Sequence, residues 1–176
     1  MYGIGQSFNR YLGLKGKLRK IKDTYIIKKN NISKVYSSSN LKLDTGFSLK
    51  TSVVEIQKIK RGDKVGYGCT YTALYDTNIA VCEIGYADGL SLKYKDSKVS
   101  INGKLYNIVG IVNMGMLTIE VDDSIKIGDI VTIIGNDINI KKVASLLGVT
   151  PYVVMTSIDS KIKRVYVKNN KIDKIV

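Results

Sequence analysis

From Ser48 onward the apolar residues gather into short runs separated by Gly, Asn and Asp, at intervals that point to an all-β sandwich or barrel. The runs predict strands over Leu49 to Ile59, Ile79 to Ile84, Val99 to Ile101, Leu105 to Val112, Met116 to Val121 and Ile130 to Ile134. Asn102-Gly103, between two of them, is a type I′ hairpin signal, because both central positions of that turn need positive φ. One segment has helical spacing instead: Ile140, Val143, Ala144 and Leu147, with Asn139 placed to cap its start and Gly148 just past its end. Pro151 is expected in the loop that follows. Strands return at Arg164 to Val167 and Ile172 to Val176, around Asn169-Asn170. The pattern predicts an all-β fold, an antiparallel Greek-key-like β-barrel with one peripheral helix and a basic N-terminal extension.

Residues 1–47 read differently. They lack long apolar runs, and Ser37-Ser38-Ser39-Asn40 marks a loop. A small hairpin is predicted from Thr24 to Lys28 and Ile32 to Tyr36, around Asn30-Asn31. Charge sharpens the division. Among 176 residues the chain has 28 Lys and Arg against 15 Asp and Glu, a net +13. The first fifty residues hold eleven basic side chains and two acids, so +9 falls there and +4 on everything after. The expected organisation is a basic extension or linker at 1–47 and a β-barrel domain at 48–176. A second full-sized catalytic domain does not fit in this length.

The chain has no histidine, which excludes Ser-His-Asp and Cys-His catalysis, HExxH zinc sites and histidine pH switches. Acid-base chemistry must therefore use Tyr, Lys, Cys or carboxylates. Cys69 and Cys82 form no CxxC and cannot complete a tetrahedral zinc site alone, so they are expected to be buried free thiols. No apolar run approaches the ~18 residues of a membrane span, and Met1-Tyr2-Gly3-Ile4 has no signal-peptide layout. A cytoplasmic protein is expected.

Two tyrosines stand in glycine-flanked settings, Gly66-Tyr67-Gly68 and Gly85-Tyr86-Ala87-Asp88-Gly89. Glycines beside a large side chain with a polar tip let a ligand or another backbone approach closely. On spacing alone, two turns with tyrosines packed at strand ends are the favoured reading. A longer pattern favours a site. Gly62-Asp63-Lys64-Val65-Gly66-Tyr67-Gly68-Cys69-Thr70-Tyr71, then Ile84 to Gly89, Asn102-Gly103, Ile108 to Met114 and Gly128 to Gly135, together with the helix around Val143-Ala144, resemble the C-terminal domain of alanine racemases. The resemblance runs from about Ser48 to Val167, and Met1-Tyr2-Gly3-Ile4 resembles the end of that family's N-terminal barrel.

The resemblance implies a head-to-tail homodimer, in which this domain closes an active site on a pyridoxal-phosphate barrel of the other subunit. Racemisation needs a proton taken from one face of Cα and one delivered to the other. The cofactor supplies the electron sink and the protein one base per face. A barrel lysine serves one face, and Tyr67 corresponds to the tyrosine that serves the other. An ordinary tyrosine, with pKa near 10, does this near neutrality only where cations stabilise its phenolate. By the same correspondence Tyr86 lines the substrate approach, Met114 helps hold the substrate carboxylate, and Ser160 falls where the family has a tyrosine reaching the cofactor phosphate. Arg164 is retained. The family's Met-Asp-Gln reads Met114-Gly115-Met116 here, which removes a carboxylate from the substrate corridor and leaves room for a serine-type preference.

Because the cofactor lysine belongs to the barrel, this chain alone is expected to bind no pyridoxal phosphate and to turn over no alanine. Two other readings rest on the basic segment. Lys15 to Lys29, interleaved with Tyr11 and Tyr25, has the makings of a single-strand nucleic-acid binder on a recruited or degenerate barrel, but a solvated face is the simpler reading of a charge run, and nucleic acid is not expected. Association with an anionic membrane through a membrane-anchored parent is the other, and the segment has no clean amphipathic stripe to support it.

Overall fold

The computed structural model describes residues 17–21, 24–29, 32–37, 46–135, 137–168 and 171–176, with backbone alone over 17–37. The Met1-Tyr2-Gly3-Ile4 correspondence and the Asn30-Asn31 and Asn169-Asn170 turns lie outside the described residues. The chain falls into two compact units, Met1–Gly46 and Phe47–Val176.

The first unit carries a three-stranded antiparallel sheet, β1 (Lys17–Ile21), β2 (Thr24–Lys29) and β3 (Ile32–Ser37), in that spatial order. The predicted hairpin is therefore joined by a further strand, β1, along β2.

The second unit is a closed antiparallel barrel with two helices. Its strands are β4 (Leu49–Ile59), β7 (Thr77–Cys82), β8 (Lys98–Ile101), β9 (Lys104–Val109), β10 (Leu117–Val121) and β11 (Ile130–Ile134), arranged β10-β7-β4-β11-β8-β9 with β9 closing on β10. Strands β8, β9 and β10 follow one another, and β7 lies beside β10 after a long connection, which is a Greek key. Closure removes the free sheet edges that an open sheet of this length would have to protect.

Alternation fills the interior. Along β10, Leu117, Ile119 and Val121 are buried while Thr118 and Glu120 are half-buried, the period-2 signature of a strand with one face in the core. Val53, Ala80, Cys82, Val99, Ile101, Val131 and Ile133 meet them inside. Each fully buried aliphatic side chain contributes about 1.5–3 kcal/mol. Ser100 is the buried polar side chain of the core, and its hydroxyl donates to Asp137 Oδ2 at 2.8 Å. Asn102 and Gly103 have φ of 51° and 78°, as the hairpin signal requires.

Helix α1 (Ile140–Leu147) follows the predicted pattern. Asn139 Oδ1 accepts from Lys141 N at 2.8 Å, and Gly148 ends the helix at φ 71°. Ile140, Val143, Ala144 and Leu147 are the buried stripe. The structure corrects one expectation here. Pro151 opens a second helix, α2 (Pro151–Ser157), rather than lying in a loop. Proline at the first helical position loses no hydrogen bond, and its fixed φ suits the helix. Two more strand pairs complete the unit. A ribbon, β5 (Lys64–Val65) with β6 (Tyr71–Thr72), projects between β4 and β7, and β12 (Val165–Lys168) pairs with β13 (Lys171–Ile175).

Candidate active site

Tyr67 sits at the tip of the β5–β6 ribbon. Val65 pairs with Tyr71, and Tyr67–Cys69 form a 3-10 turn between them. Gly66 has φ of 82° and Gly68 of 72°, a left-handed backbone at both flanks of Tyr67 that other residues adopt at a cost. The tip is fastened from one side: Ile111 N donates to Thr70 Oγ1 at 2.9 Å, and a Cβ at Gly110 would meet Val65 O at 3.3 Å. The ribbon thus docks on the start of the β9–β10 connection, and the Tyr67 side chain is left 83% exposed.

Tyr86 begins a 3-10 turn, Tyr86–Asp88, after β7. Its backbone is stitched to the other half of the same β9–β10 connection, Tyr86 N to Asn113 O at 2.9 Å and Ala87 N to Met114 O at 2.8 Å. Asp88 Oδ2 accepts from Gly85 N at 2.8 Å and holds the turn closed. Behind it, Asp159 N donates to Asp88 O at 3.1 Å, and Ser157 Oγ donates to Gly89 O at 3.0 Å. The turn that contains Ser160 is therefore tied to the Tyr86 loop, with Ser160 exposed. Met114 is 64% exposed and Tyr86 50%.

Tyr67, Tyr86 and Met114 thus share one seat, and the turn of Ser160 is tied to it through Asp159. The connection 110–116 is the common seat: the Tyr67 ribbon rests on Gly110 and Ile111, and the Tyr86 loop on Asn113 and Met114. Gly115 lies in the same stretch, and a Cβ there would meet nothing within 4 Å. Crowding therefore does not require a glycine at this place.

Neighbouring tyrosines are less suited to act as bases. Burial, with the Glu120 carboxylate beside it, pushes the Tyr71 phenol up to about 12, and Tyr71 OH donates to Glu120 Oε2 at 3.2 Å. The nearby Glu120 carboxylate also raises Tyr75. Both hold their protons near neutrality. Among the described residues no group of acids and thiols is placed to hold a metal, and no helix is long and apolar enough to cross a membrane. Cys82 is a buried free thiol as expected, but Cys69 is exposed. Its position on the projecting ribbon, two residues past Tyr67, leaves it nothing to pack under.

Four residues that seat the site were not singled out from sequence: Thr70, Asp88, Gly110 and Asn113. Asp88 had a local signal, a carboxylate three residues after a glycine at a turn start. The others act through partners remote in sequence.

An exposed tyrosine on a glycine-flanked ribbon and a second exposed tyrosine at the start of a loop rest on one connection at the end of a β-barrel. The family known as "Alanine racemase, C-terminal domain" matches residues 46–166, and the chain belongs to it. It is 38% identical over 128 residues to an alanine racemase of Lactococcus lactis subsp. lactis, covering 70% of this chain and 35% of that protein. It is 34% identical over 151 residues to one of Clostridium perfringens, covering 82% and 39%. The chain thus spans a little over a third of the length of these curated relatives. An alanine racemase structure from Bacillus anthracis with bound L-Ala-P superposes with a TM-score of 0.71 at 32% identity, over 73% of this chain and 34% of that one. A histidine racemase from Leuconostoc mesenteroides gives 0.65 at 29%, over 69% and 34%.

Proposed function

We propose that residues 48–176 form the lid half of a pyridoxal-phosphate-dependent alanine racemase site. They would close over the cofactor barrel of a second subunit in a cytoplasmic homodimer, and residues 1–47 would serve as the basic connector. The observation that carries this reading is the common seat of the Tyr67 ribbon and the Tyr86 loop on residues 110–116, which leaves both phenols exposed beside one connection of the barrel.

The residues present fit the cofactor as a contributing edge and not as its holder. Lys93, in the cleft beside Tyr86, is not free to hold a phosphate, because its Nζ already donates to Leu147 O at 3.3 Å. The Ser160 hydroxyl would offer a phosphate oxygen one donor. Bound on the partner's barrel, pyridoxal phosphate would supply the sink for the electron pair left at Cα. Tyr67 Oη would move the proton on the face that the barrel lysine does not reach. Its rigid glycine-bounded ribbon fixes the approach of that oxygen, which is where positioned acid-base catalysis gains its rate. Tyr86 and Met114 would line the path of the amino acid, and the partner's surface would exclude water from it. With Gly115 in place of an acid, that path lacks a negative charge and has added space, which suits alanine and admits serine.

The test is Tyr67→Phe in the protein that joins this domain to its cofactor barrel. The phenol alone is lost, so kcat should fall about 10²- to 10⁴-fold, with solvent-deuterium exchange at Cα lost from one enantiomer more than from the other. Unchanged turnover, or equal loss of exchange from both, overturns the assignment. D-Alanine formation by the present chain with added cofactor would overturn the lid reading itself.

A further inference from the structure

A cleft of about 350 Å³ lies on the outside of the barrel over β9 and β10. Its walls include Thr70 and Tyr71 of the ribbon, Lys95 before β8, Asn107 and Gly110 of the β9 segment, and Glu120 of β10. Glu120 is unusual. One carboxylate oxygen, Oε2, is bound by the Tyr71 hydroxyl at 3.2 Å, while Oε1 is buried with no hydrogen-bond partner. A carboxylate oxygen left so in a folded protein costs the desolvation of a charge with nothing returned, and such an atom calls for a donor. Lys95 lines the same cleft but forms no ion pair with it among the described residues. The cleft therefore presents a negative and a positive group that do not meet.

We propose that this cleft is a second small-molecule site, which takes a free amino acid as its zwitterion, the ammonium on Glu120 Oε1 and the carboxylate toward Lys95. The cleft itself favours a small zwitterion over a lysine side chain of another macromolecule: its volume is that of a ligand pocket, and residues of both charge signs, Glu120 and Lys95, line it. The site is separate from the face of Tyr67 and Tyr86 but not isolated from it. Thr70 lines the cleft and also holds Ile111, the seat of the Tyr67 ribbon. Occupancy would tighten Thr70 and Gly110 and so steady the ribbon tip.

Backbone amide shifts of the 176-residue chain test this, with L-alanine, methylammonium chloride and sodium propionate as probes. L-Alanine should shift Asn107, Val109 and Gly110 saturably, methylammonium the same amides more weakly, and propionate little. Glu120→Gln keeps an oxygen for Tyr71 but loses the charge, and should weaken L-alanine about tenfold or more. Lys95→Ala, at a more exposed position, should weaken it less and leave methylammonium unchanged. If none of the probes moves those amides, Oε1 is satisfied by water and the proposal fails. It fails equally if Glu120→Gln binds like the wild type. Shifts confined to Tyr67, Tyr86 and Met114 would overturn the second site while leaving the lid reading intact.

Discussion

Gly85 offers the sharpest test of how the site is assembled. Its φ of −149° is extended backbone open to any residue, so a substitution there acts by volume alone. A methyl group would lie 2.3 Å from both Asn113 O and Met114 O, against ordinary contacts of 3.4–4 Å. Backbone cannot swing aside as a side chain does, so the Tyr86 loop and the 113–116 turn must separate. Overpacking of this kind costs about 1–3 kcal/mol. Separation also strains the bonds from Tyr86 N and Ala87 N, each worth about 1 kcal/mol. Gly85→Ala should therefore destabilise by about 3–5 kcal/mol and lower Tm by roughly 10–20 °C. The control is Gly115→Ala, on the same turn, where a Cβ meets nothing within 4 Å. It should stay within about 0.5 kcal/mol of the wild type. Urea denaturation gives both numbers, and amide shifts at Tyr86 and Met114 report the separation. If the two variants melt together, the close approach does not hold the site.

Other consequences follow from the core and its buried titratable groups. Leu117, fully buried in β10, should cost about 2–5 kcal/mol on replacement by alanine, read from the urea midpoint; a loss below about 1 kcal/mol would contradict close packing inside the ring. Burial pushes the Tyr94 phenol and the Cys82 thiol up to about 12, from ordinary values of 10.0 and 9.0. A group whose pKa is raised on folding contributes its full stability below the unfolded value and loses it as pH rises through the folded one. Stability should be level below about pH 9 and decline towards about pH 12, with Tyr94 accounting for ~2–3 kcal/mol. Tyr94→Phe should remove that share of the slope, and a level profile in both proteins would show that the phenol is not buried.

Much of the barrel was written into local pattern. β4 and β11 begin and end where the apolar runs do, and α1 carries its cap and its stop in Asn139 and Gly148. Where reading and structure part, the cause is a single residue or a remote bond. The run Leu105 to Val112 continues past the end of β9 because its apolar character does not register the turn at Gly110, whose φ is 71°. The run Ile79 to Ile84 is shifted by two, since β7 keeps its ladder to β4 back to Thr77, which opposes Ile59. Helix α2 was missed because one buried residue, Val154, is too little for a period, although Pro151 marked its start. For the site, the glycines around Tyr67 and Tyr86 were legible as places of close approach. That both loops use one seat was not, because Thr70 reaches Ile111 and Gly85 meets Asn113 across long stretches of chain.

The ring also sets a timetable. Ser52 pairs with Ile130, and Leu49 with Ile134, so the first barrel strand waits for the last before the circle is complete. Pairings so distant in sequence fold slowly, because the entropy of the intervening loop is lost before the contact returns it. On a ribosome the domain would leave with β4 unpaired on the β11 side until nearly all of its strands had emerged. A chaperone that shields β4 during synthesis would act at the step where this fold is most exposed to mispairing.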